Sequence, residues 1–133
     1  CPFAAHIRKT NPRTDLGDVS LNRIMRHGIQ YGGEVSPKEW NLHTSSDKRE
    51  DERGLLFVCY QSNIDKGFKF MQQAWANNGD FVQDKTGHDA IIGVHEKGPN
   101  TSRTVTGHNP DKLSEPLTLT KIWVIAKGGE YFF

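Results

Sequence analysis

The chain has 133 residues, 35% hydrophobic and 25% charged, and its 17 Lys and Arg against 16 Asp and Glu leave a net charge of +1. That length suits one domain, 1–133, at roughly 100 to 200 residues per domain, and excludes a large multidomain enzyme. So even a charge balance gives no reason to expect a nucleic-acid or acidic-surface binder, and a mean hydropathy of −0.67 predicts a small core under long loops.

No stretch reaches the roughly 18 consecutive apolar residues of a membrane span. The opening CPFAAHIRKTNPR also lacks the basic, apolar, small-residue order of a signal peptide, so a soluble chain with no membrane partner is expected; secreted and cytoplasmic locations both stay open. The only cysteines, Cys1 and Cys59, make no disulfide framework, and whether they pair is left open.

In chain order, residues 1–20 read as an irregular basic segment interrupted by Pro2 and Pro12. LNRIMRHGIQY, residues 21–31, reads as a strand, and residues 32–53, rich in Gly, Ser, Pro and mixed charge, as a loop. The continuous apolar run Leu55 to Tyr60 predicts a central strand covered on both faces. Ser62 and Asn63 then offer N-caps to a helix from about Ile64 to Asn77, whose stripe of Ile64, Phe68, Met71 and Trp75 is core. Residues 79–116 are loop-rich, with short strands expected near Ala90–Val94 and Arg103–Thr106. LTLTKIWVIAKGGEYFF closes the chain with strand patterns and a hairpin signal at Gly128-Gly129. Mixed strands with few helices make the class α+β.

The chemistry-bearing residues allow more than one reading. His88 beside Asp89, with His95 and Glu96 seven residues on and His108 beyond, is conceivable as a metal site or an acid–base pair, although the spacing fits no zinc motif. Under a ribonuclease reading these five would act on an RNA 2′-hydroxyl, with a divalent cation and rRNA as partners, while Arg8, Lys9 and Arg13 with Phe3 grip the phosphates. His6, flanked by Ala5 and Ile7, reads either as a satisfied structural histidine or as an axial iron ligand with Arg8 and Lys9 compensating a cofactor's acidic groups. Arg26, within an apolar strand pattern, is costly to bury unless an anion pairs with it.

Five strings in order carry a resemblance across nearly the whole chain. CPFAAHIRKTNPR resembles the proximal-histidine segment of the fungal DyP-type (dye-decolourising) haem peroxidases, and NRIMRHGIQYG their distal-arginine strand. GLLFVCYQSNIDKGFKFMQQAWAN is similar to the following strand and helix, HDAIIG to a short loop, and WVIAKGGEYFF to the closing strands. The resemblance implies the haem-binding C-terminal half of such an enzyme, ferredoxin-like in fold, reducing hydrogen peroxide and oxidising dyes or phenolics. It implies haem b as cofactor, His6 as ligand of the haem iron, Arg26 as a catalytic and haem-side residue on the opposite face, and an N-terminal half as partner. Trp75, Trp123 and Tyr60 would then be either electron relays or core. The family's distal acid belongs to an Asp-Gly motif of the first half, and this sequence has no Asp-Gly dipeptide. The ribonuclease reading, resting on a size similar to the ribotoxin-like enzymes, is the alternative.

Overall fold

The computed structural model describes residues 1–46, 48–94 and 102–133. It divides into two compact units, Cys1–Arg23 with Gln61–Phe133, and Ile24–Tyr60.

The larger unit opens with a helix where irregular backbone was expected. Pro2 and Pro12 bracket α1 (His6–Thr10) rather than interrupting it. The hydrogen bonds Lys9 N–H to Ala5 O and Asn11 N–H to Ile7 O close its turns. A proline ahead of a helix or just beyond it costs nothing, because no intrahelical N–H is needed there. A 3₁₀ turn, Ser20–Asn22, follows.

Residues 61–67 form turns, and Gln61 Oε1 accepts the Phe68 amide at 2.8 Å. The expected helix therefore starts late, as α2 (Phe68–Phe70), and runs directly into a π-helical stretch, Met71–Ala76. The stripe is core as expected: Met71 and Trp75 are buried, while Ile64 and Phe68 are half-buried. Met71 and Trp75 are joined in the core by Ala4, Ala76, Phe81 and Val105. Trp75 meets Phe70 edge-on at 5.5 Å and Phe81 at 6.4 Å.

β1 (Arg103–Val105) pairs antiparallel with β2 (Leu117–Leu119). The strand expected near Ala90–Val94 is a turn, because Asp89 binds its own downstream amides, a local alternative to a ladder. The closing hairpin at Gly128-Gly129 does not form. Residues 120–133 carry neither helix nor strand, and nearly all are exposed.

The smaller unit is a hairpin of β3 (Met25–Tyr31) and β4 (Gly54–Tyr60), antiparallel from Met25 opposite Tyr60 to Tyr31 opposite Gly54. The run Leu55 to Tyr60 is thus a strand, but one of a two-stranded sheet and open on both faces: Leu55, Leu56, Phe57 and Val58 are all exposed. The connection between the strands holds α3 (Pro37–Leu42), which the loop reading misses. Ser36 caps it and Glu39 closes a capping box, its Oε2 accepting from the Ser36 amide at 2.8 Å. Glu39 also accepts from the Ser46 amide and from Arg53 at 3.0 Å, so one carboxylate ties the connection together. Two-stranded sheets and short helices make the molecule α+β, as expected.

Candidate functional site

α1 and the turn around Asp89 build the site. His6 faces Asp89, and its Nδ1 lies 3.1 and 3.0 Å from the two carboxylate oxygens. Asp89 has no exposed surface, and its Oδ1 also accepts the amides of Ile91 and Ile92, each at 2.8 Å. Burial pushes this carboxyl toward higher pKa, but the His6 hydrogen bond and the Ile92 and Ile91 amides outweigh it and hold it below its ordinary 3.8. An ionised carboxylate accepts and never donates, so the proton of a neutral His6 stands on Nδ1 and the lone pair on Nε2. Nε2 makes no hydrogen bond among the described residues, and the side chain is 41% exposed.

The backbone locks Asp89 in place. Its amide donates to Ala76 O at 2.8 Å, filling a carbonyl left open at the end of the π-helical stretch. Its own carbonyl accepts from Arg103 Nη1 at 2.6 Å and from the Gly93 amide at 3.0 Å. Gly87 precedes it with φ +84°, where an added Cβ would run into the Thr104 carbonyl oxygen.

The arrangement fits haem iron. An imidazole with one nitrogen free and the other held by a carboxylate is a donor of the kind that ligates haem iron. Of the nearby cations, Arg8 and Lys9 are not free to serve a cofactor's acidic groups or a phosphate backbone, as the sequence readings had them. Arg8 binds Asp15 at 2.6 and 2.8 Å and lies 3.9 Å over the Phe3 ring, while Lys9 is buried. Arg13 is exposed.

Arg26 lies on β3 opposite Cys59 and is exposed, so the burial that made it costly does not occur. It has no hydrogen bond or ion pair among the described residues, and it shares a sheet face with Gly28, Leu55 and Phe57. Cys1 and Cys59 are free thiols.

The described residues of the alternative site, His88, Asp89 and His108, do not converge on one point. Asp89 turns to His6, while His88 Nδ1 donates to Val94 O at 3.0 Å. His108 Nε2 lies 4.0 Å from Glu115. His95 and Glu96 lie outside the described residues. Among those described, no three His, Cys, Asp or Glu side chains gather as a metal would need. Trp75 is core, whereas Trp123 and Tyr60, at 54% and 76% exposure, are not. Sequence reasoning missed Asp89 as the partner of His6. The available signal was an Asp two and three residues ahead of amides in a turn closed by glycine, HDAIIG.

The family described as Dyp-type peroxidase, C-terminal, matches residues 1–90. Peroxidase 2 of the fungus Mycetinis scorodonius is 48% identical across the whole chain, and a dye-decolorizing peroxidase of Exidia glandulosa 45%. A crystal structure of a decolorizing peroxidase from Auricularia auricula-judae covers 97% of this chain at 40% identity and a TM-score of 0.81, in agreement with the ferredoxin-like expectation; the match takes in 30% of that protein. The chain spans 28% of the length of the Mycetinis relative and 25% of the Exidia one. No helix among the described residues is long and apolar enough to cross a membrane. By its family match and its fold, the chain belongs to the Dyp-type peroxidases and corresponds to their C-terminal region.

Proposed function

We propose that this chain is the haem-side part of a peroxidase that reduces hydrogen peroxide and oxidises dyes or phenolics, working with an N-terminal half. The observation that carries the reading is the clamp of His6 Nδ1 on buried Asp89, which leaves Nε2 as a half-exposed donor. Haem b, when bound, supplies the iron at which peroxide is reduced with electrons drawn from the aromatic substrate. His6 holds it through Nε2. Asp89 fixes the ring's orientation and, by accepting the Nδ1 proton's hydrogen bond, makes Nε2 more basic. Arg26, permanently charged and exposed, binds a peroxide oxygen and stabilises the negative charge that develops there. The general acid comes from the N-terminal half, since no Asp-Gly motif is present here. Tyr60 and Trp123, at the surface, pass on electrons from substrates too bulky to reach the haem.

Titrating the chain with ferric protoporphyrin IX tests this directly. A histidine-ligated Soret band should grow to one equivalent, and His6→Ala should abolish it; an unchanged spectrum in His6→Ala would refute the ligand role. Neither the ribonuclease alternative nor its divalent cation is supported: among the described residues no group of three His, Cys, Asp or Glu side chains could hold a metal, and the relatives named above are peroxidases.

A further inference from the structure

Lys9 is the most unusual residue in the fold that the proposed chemistry does not use. Its side chain has no exposed surface. A buried ammonium is costly unless hydrogen bonds compensate it, and here two of its three donors go to main-chain carbonyls: Nζ donates to Asn78 O at 2.9 Å and to Gly87 O at 2.6 Å. The Phe81 ring lies under it at 5.5 Å.

The placement of those carbonyls has a purpose beyond anchoring a helix. Lys9 stands three residues after His6 on α1, so the two side chains project from neighbouring turns of one face. Gly87 stands two residues before Asp89. His6 grips the segment at Asp89, and Lys9 grips it at Gly87. From the other side, the Thr106 amide holds Thr86 O at 3.2 Å and Arg103 holds Asp89 O. Two side chains of α1 thus reach the 87–89 segment directly, and Lys9 is one of them. A carboxylate that accepts from Nδ1 at 3.0 Å ceases to do so once displaced by about half an ångström or more, so whatever holds the 87–89 segment against α1 bears on the tautomer of His6.

We propose that Lys9 is a positioning residue for the His6–Asp89 pair: by clamping the carbonyls of Asn78 and Gly87 it holds Asp89 in register with His6 and so fixes the proton on Nδ1 and the lone pair on Nε2. Its consequence for haem rests on the reading of His6 as the iron ligand; the tautomer does not.

The experiment is therefore run on the haem-free 133-residue chain. Histidine-labelled ¹⁵N spectra of the neutral imidazole, with His6→Gln to assign its signals, report the Nδ1–H to Nε2–H ratio. Wild type should be dominated by Nδ1–H. Lys9→Met, which keeps the stem and removes the donors, should lose about fivefold of that preference, the fold-change of one net hydrogen bond. The signals of His27, on β3, should not move. Folded Lys9→Met with the wild-type ratio would overturn the proposal. If Lys9→Met does not fold, the shorter, neutral Lys9→Gln takes its place under the same criterion. Fast solvent exchange of the Lys9 ammonium protons in wild type would also overturn it, whatever the variants do. Ferric protoporphyrin binding should weaken by about tenfold in Lys9→Met, as for other partners behind a metal ligand. If His6→Ala leaves porphyrin binding intact, the ligand reading falls while the tautomer measurement still decides the role of Lys9.

Discussion

A carboxylate with no exposed surface is costly unless donors surround it, and Asp89 meets that cost with His6 and the amides of Ile91 and Ile92. Asp89→Asn keeps the shape and one acceptor but faces His6 with an amide that donates. The imidazole then carries its proton on Nε2 and loses its free lone pair. Porphyrin affinity should drop by about 10- to 100-fold, read from the Soret titration, with the far-ultraviolet circular dichroism unchanged. Equal affinities would mean that the tautomer does not matter. Lys9 gives a second test at this scale. Burial lowers its pKa from 10.5 to about 8, opposed by the charge of Asp89. A lowered folded pKa on a base means that above pH 8 the native state has released a proton that the unfolded chain still holds. Stability conferred at this site should therefore rise between pH 8 and 10.5. Urea midpoints of wild type and Lys9→Met should diverge in favour of wild type across that window, and parallel curves would contradict it.

At the scale of elements, what was legible depended on whether the signal was local. The core stripe of Met71 and Trp75 follows from helical spacing alone, although the helix starts at Phe68 because Gln61 caps that amide from seven residues upstream. α3 was legible and overlooked: Ser36, Pro37 and Glu39 form a capping box with proline in the first turn, but the glycines and mixed charges around it dominated the reading. Ser36→Ala should destabilise this helix by about 1 kcal/mol, seen as faster amide exchange at Glu39. Glu39 is held at about 2, first by the Ser36 amide and then by the Ser46 amide and Arg53, against an ordinary 4.5. A lowered acid pKa stabilises the fold above 4.5, and that contribution disappears as pH falls toward 2, so the Ser36 and Ser46 amides should lose protection in that interval. The His6–Asp89 pair was not legible from pattern, because 83 residues separate the partners. The residues alone left His6 open between a structural histidine and an iron ligand, the resemblance favoured the ligand, and nothing in the spacing pointed to Asp89 as its partner. Gly87, with φ +84° against β1, should not accept a side chain; Gly87→Ala should cost about 2 to 3 kcal/mol in chemical denaturation.

For the molecule as a whole, the expectation of a doubly covered strand failed for a reason that sequence composition cannot express. Leu55 to Tyr60 carries the apolar content of a buried strand, and the register places Leu56, Val58 and Tyr60 with Met25 and Ile29 on one face and Leu55 and Phe57 beside Gly28 on the other. Within the described residues both faces meet solvent. The closing segment repeats the pattern, with Trp123, Ile125, Phe132 and Phe133 exposed. Single exposed apolar side chains are ordinary, but contiguous ones mark surfaces that are covered in the working protein. A chain that spans 28% of a relative's length has an evident source of cover in the proposed N-terminal half. The 133-residue chain on its own should therefore self-associate, its sedimentation coefficient rising with concentration in the low micromolar range. Leu55→Thr with Phe57→Thr, which keeps strand propensity and removes the larger apolar groups from one face, should reduce that rise, and co-expression with the remainder of a peroxidase chain should abolish it. A concentration-independent monomer that binds no apolar dye would show instead that these faces tolerate water, and the case for a covering half would then rest on the length of the relatives alone.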